Sequence, residues 1–115
     1  MRRALILLAL SPLLMAQSGV PRPRCDFGGG TEALREGARL TALPIPGLLE
    51  GRARGEVVAS QLRAAVPVFL GCGCPLLAEF TSEAAGLAAS LPGESSMPRL
   101  TATMEQTRFR ISLAE

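Results

Sequence analysis

The chain has 115 residues, a formal charge of +2, three cysteines and no histidine, tryptophan or tyrosine. That length suits one domain, since domains commonly run to about 100–150 residues. The missing histidine removes the commonest general base and metal ligand, and with it the Ser/His and Cys/His nucleophile pairs. With Phe27, Phe69, Phe80 and Phe109 as the sole aromatics, stacking platforms for single strands or sugars are sparse.

Residues 1–18 have the order of a secretory signal peptide. Arg2 and Arg3 precede an apolar run from Ala4 to Ala16, interrupted by Ser11 and Pro12, and small or polar residues follow. Cleavage is expected after Ala16 or Ser18. The run is shorter than the roughly 20 residues that span a bilayer. The "PRPR" before Cys25 lacks the small and apolar residues of a lipoprotein cleavage site. The mature chain is therefore expected to be exported, periplasmic or extracellular, with no stable membrane anchor after cleavage. Arg2 and Arg3 carry the whole net charge, so the remainder is neutral. A neutral domain has no basic field for a phosphate backbone, which argues against a nucleic-acid partner.

Residues 19–30 are crowded with proline, glycine and arginine and read as an extended arm. Their "GGG" lacks the G-x-G-x-x-G or Walker spacing, and no lysine exists to finish a phosphate loop. Thr31 can cap a short helix over residues 31–38, with Glu32 in its first turn. Residues 38–46 alternate, but Pro44 and Pro46 confine them to an edge strand and turn. "GLLEGRARG" reads as a turn.

In the next segment Val58, Leu62, Ala65 and Val66 share one helix face, although a strand over residues 57–64 also fits. Pro67 should end that helix, leaving residues 66–70 as a short buried strand. Pro75 suits a first helical position, and Leu76, Phe80, Ala84, Leu87 and Leu91 form an apolar stripe over residues 75–90. At the C-terminus Leu100, Ala102 and Met104 alternate, then Phe109, Ile111 and Leu113 do so with opposite parity. A hairpin centred on Glu105 and Gln106, or a bulge, would absorb the shift. The expected fold is α+β: residues 31–115 form a small single domain, a short antiparallel sheet with one main helix packed on it.

The cysteines carry the chemistry worth weighing. Export favours a disulfide, and three cysteines allow at most one within the chain. Joining Cys72 to Cys74 closes almost no loop and contributes about 1.5 kcal/mol on the chain-entropy estimate. Joining Cys25 to Cys72 or Cys74 closes roughly fifty residues and contributes about 4 kcal/mol. The spacing does not choose between those two partners.

As an alternative, Cys72 and Cys74 form a C-x-C dithiol at a helix start, which resembles in spacing alone the C-x-C variants of thiol–disulfide catalysts. The same pair could hold Cu(I), with Cys25, Met97 or Met104 completing the sulfur set. Glu32 with Glu36, and Glu79 with Glu83, read as solvated helix faces rather than acid–base pairs. The functional expectation is an exported accessory or interaction protein with a protein partner, no evident catalytic site and no cofactor. The alternative is a thiol-redox or copper-handling protein. Oligomeric state stays open.

Overall fold

The structure is a computed structural model that describes residues 25–115. The signal peptide expected at residues 1–18, and the arm up to residue 24, lie outside the described residues. Four helices fill the described chain: α1 (Phe27–Ala42), α2 (Leu48–Gly71), α3 (Pro75–Ser90) and α4 (Met97–Ala114), with a 3-10 turn (Leu91–Gly93) after α3. The α+β expectation is therefore overturned, because no strand occurs among the described residues.

A heptad rhythm explains the change. In α4 the buried residues are Leu100, Met104, Thr107, Ile111 and Ala114, spaced four, three, four and three. In α2 they include Gly51, Gly55, Val58, Leu62, Ala65 and Phe69, with the same spacing. In α1 they are Gly30, Leu34, Gly37 and Thr41. Such a repeat places one seam of a helix against its neighbours in knobs-into-holes packing. Glycine and threonine at seam positions hide it from a hydrophobicity count.

Each buried threonine satisfies its own hydroxyl, as burial of a polar group requires. Thr41 donates to the Gly37 carbonyl at 2.9 Å, Thr81 to Leu77 at 2.8 Å and Thr107 to Thr103 at 2.8 Å. A threonine that bonds back one turn takes its place in a helical core without an orphaned donor.

α2 and α3 share the largest contact, α1 packs on α2, α3 on α4, and α4 returns to α1, while α2 and α4 meet more narrowly across the diagonal. With short connections this is an antiparallel up-down-up-down four-helix bundle. Its packing is close because small residues receive large ones. A Cβ on Gly30 would lie 2.6 Å from the Phe69 ring, and one on Gly51 would lie 2.6 Å from a Leu100 methyl. Gly55 takes the side chain of Leu91 in the same way.

Several local expectations are corrected for the same reason. The edge strand at residues 38–46 is instead the last turn of α1 followed by a linker. "GLLEGRARG" opens α2 rather than turning, since Gly51 and Gly55 are its seam positions. The strand expected at residues 66–70 is helix, and α2 runs through Pro67 to Gly71. Proline removes one N–H and its ring crowds the carbonyl four residues earlier. Pro67 is exposed, so both effects fall on the solvent side while Ala65 and Phe69 stay in the core. The C-terminal β pair is α4; its alternating residues are split, with Leu100, Met104 and Ile111 buried and Phe109 and Leu113 exposed.

The start of α1 also moves. Asp26, not Thr31, is the cap, its carboxylate accepting from the Gly29 N–H at 3.1 Å. The "GGG" forms the first turn, and Thr31 donates to the Gly28 carbonyl. For α3 the boundaries agree with expectation but the face rotates. Ala78, Thr81, Ala84, Ala85 and Ala88 are buried, whereas Leu76 is 61% exposed. An alanine face lets α3 lie close against α2 and leaves its larger residues at the rim.

Candidate functional site

The sequence "GCGCP" builds the corner between α2 and α3. Gly73 has φ of +76°, which a residue without Cβ adopts without strain. Its N–H donates to the Leu70 carbonyl at 3.1 Å, and the Cys74 N–H donates to the Phe69 carbonyl at 3.0 Å. Together these bonds form a Schellman cap, which satisfies two of the last carbonyls of α2. Cys74 then serves as the N-cap of α3, and Pro75 takes the first helical position, where its missing N–H costs nothing. One pentapeptide closes one helix and opens the next.

The disulfide joins Cys25 to Cys72, with Cα atoms 4.9 Å apart. It ties the residue just before α1 to the cap of α2, beside the edge-to-face contact of Phe27 and Phe69, whose centroids are 5.7 Å apart. Cys74 stays free and half-buried, its sulfur 3.9 Å from the Cys72 carbonyl oxygen. The structure thus brings all three cysteines to one end and selects Cys72 as the partner of Cys25.

Beside this corner lies an open apolar groove of about 380 Å³, lined by Phe27, Cys74, Leu76, Leu77, Phe80 and Leu113 among others. It collects side chains from the start of α1, the start of α3 and the end of α4. Phe27 is 42% exposed and Leu113 44%, so these apolar residues face solvent rather than the core. Phe109, one turn before Leu113, extends the apolar surface along α4. Sequence reasoning missed this groove. Reading α4 as strands put Phe109 and Leu113 on one face with the buried Ile111, and placing Leu76 in the core stripe hid its exposure.

The remaining candidates disperse. Met97 borders a groove with Leu43, Pro44 and Ile45 at the opposite end of the bundle, and Met104 is buried in the α4 seam. Neither shares a site with the sulfurs of Cys72 and Cys74. Among the described residues no three His, Cys, Asp or Glu side chains gather as metal ligands. The carboxylates form surface pairs: Glu32 with Arg35 at 3.6 Å, Glu36 with Arg39, and Glu83 with Arg110 at 2.9 Å. The hydrogen bond from Arg39 holds the Glu36 carboxyl below its ordinary pKa, because it favours the ionised form. Glu79 is exposed on α3.

Among the described residues no helix is long and apolar enough to cross a membrane. No protein-family model, curated protein or solved structure matches the chain.

Proposed function

We propose that the mature chain is an exported accessory protein that acts by binding, and that its binding surface is the apolar groove at the cysteine end. One observation carries this reading. Leu76, Phe27 and Leu113 are large apolar residues left 61%, 42% and 44% exposed around one concavity, beside a covalent clamp. Clustered exposed apolar groups around a concavity mark interaction sites, whereas single ones do not. The partner that suits it is a protein segment presenting apolar side chains, since the lining offers few polar groups to orient a small ligand.

The thiol-redox alternative would use Cys72 and Cys74 as a dithiol. With Cys72 engaged by Cys25, only Cys74 is free for such chemistry, so the binding reading is preferred.

The test places a photoreactive side chain at position 76 in the groove, as Leu76→p-benzoylphenylalanine, and separately at exposed Ala64 on α2. Illumination in the producing cells should give a discrete protein adduct from position 76 and none from position 64. No adduct from either position, or equal labelling from both, would overturn the groove reading. Export is read separately from the N-terminus of the purified protein. Gln17 or Gly19 is expected there, and an intact Met1 would remove the export part of the proposal.

A further inference from the structure

We infer that the disulfide at the cysteine end is a two-position clamp, in which Cys25 exchanges between Cys72 and Cys74. The inference rests on three sulfurs sharing one corner and not on what fills the groove. Cys74 lies two residues beyond Cys72, and its sulfur folds back to 3.9 Å from the Cys72 carbonyl. It also lines the groove with Phe27, which is two residues beyond Cys25. The free thiol therefore lies beside the Cys72 end of the disulfide, on a groove that the start of α1 also lines.

The step is redox-neutral. Cys74, as thiolate, attacks the Cys25 sulfur. A Cys25–Cys74 bond forms, and the Cys25–Cys72 bond breaks with its electron pair leaving on Cys72. The Cys72 thiolate takes up a proton in place of the one that Cys74 gave to solvent. No external oxidant or reductant is consumed. The closed loop changes by only two residues, so the entropy of closure hardly distinguishes the two forms. Attack on Cys72 instead would leave a three-residue ring and release the start of α1. Chain entropy disfavours that product.

The exchange gives the corner a second state. With Cys25 on Cys72, the Cys74 thiol faces the groove; with Cys25 on Cys74, that sulfur is withdrawn and the start of α1 is anchored at the groove rim. Gly73, lacking a Cβ and open to solvent, lets the corner adjust without disturbing the seams of α2 and α3.

The experiment uses the oxidised mature protein without denaturant. It is held at pH 8.5, its free thiol is trapped with N-ethylmaleimide at intervals, and fragment masses locate the label. The label should divide between Cys74 and Cys72, with about a tenth or more on Cys72, and the division should be reached faster as pH rises, because thiolate is the attacking species. Label confined to Cys74 would overturn the inference, and so would label appearing on Cys25. As a second readout, Cys72→Ser should still give an intramolecular Cys25–Cys74 disulfide with no thiol to alkylate. Two alkylated cysteines in a folded C72S protein would also overturn the inference. If C72S fails to fold, the division of label in the wild-type chain decides alone.

Discussion

The two ends of the bundle are fastened by opposite means. At the cysteine end, a disulfide joins the start of α1 to the cap of α2, and apolar side chains stand open around it. At the other end, arginines from the first turns of α2 hold two loops by their carbonyls. Arg54 donates to the Leu43 carbonyl at 2.7 Å and to Pro44 at 2.8 Å, and reaches the Leu40 carbonyl at 3.3 Å. Arg52 donates twice to the Glu94 carbonyl, at 3.0 and 2.7 Å.

Those carbonyls lie where helices end and where backbone acceptors lack intrahelical partners, and a forked guanidinium can serve several at once. The arginine end thus spends its polar groups on itself. The cysteine end is held by a bond that needs no surface, which leaves its apolar side chains open.

The comparison can be broken at either end. The largest effect is expected from Cys25→Ser. The bridge joins residues separated by 47 in sequence, and its loss should lower the unfolding free energy by about 4 kcal/mol on the chain-entropy estimate. Denaturant titration checks this, and a loss below about 1 kcal/mol would show that packing alone holds α1 in place.

Next comes Gly55→Ala at the arginine end, where the added Cβ would overlap Leu91. Overpacking of that kind costs about 1–3 kcal/mol, whereas Gly86→Ala, in open space on α3, should gain about 0.5–1 kcal/mol from helix propensity. If both changes stabilise, the seam is looser than described.

Arg54→Ala should cost about 1–2 kcal/mol through its lost charge-assisted bonds, and Arg54→Lys should restore little, because an ammonium lacks the fork. Equal stability of the lysine variant and the wild type would reduce the guanidinium's role to charge alone.

The smallest effect is acid-dependent. The Glu36 carboxyl is held below its ordinary pKa by Arg39, so its contribution is present above the unfolded pKa and is lost as pH falls through the folded one. The difference in stability between wild type and Glu36→Gln should be small near neutrality and vanish on acidification.

How far the sequence revealed this molecule differs by region. The boundaries of α3 were legible because Pro75 opens it and Pro92 and Gly93 lie at its end. The buried positions Val58, Leu62 and Ala65 were legible from one helical face. The bridge from Cys25 to the C-x-C pair followed from loop arithmetic, but the choice of Cys72 depends on the Schellman cap, which only the folded corner displays.

The C-terminal helix was not legible as one. Its seam contains Thr107, a residue of high strand propensity, while Phe109 and Leu113 lie outside the seam and create a false alternation. Tertiary packing decided between periods two and seven. Glycine misled in the same way: at positions 51 and 55 it looked like punctuation, yet it forms the socket that a large neighbour fills.

Those sockets have a consequence for alignment. A smooth seam of identical leucines would let two helices slide by a heptad and find nearly equal contacts. Here Gly55 faces Leu91, and a slide of one heptad would set it against Ala84, leaving a void. The same slide would drive Leu91 onto Leu48 at the start of α2. Void and collision would arise together, and each is destabilising by itself. The glycines therefore work as the notches of a ruler, admitting one longitudinal setting of the helices and, through it, one length of connection at each turn.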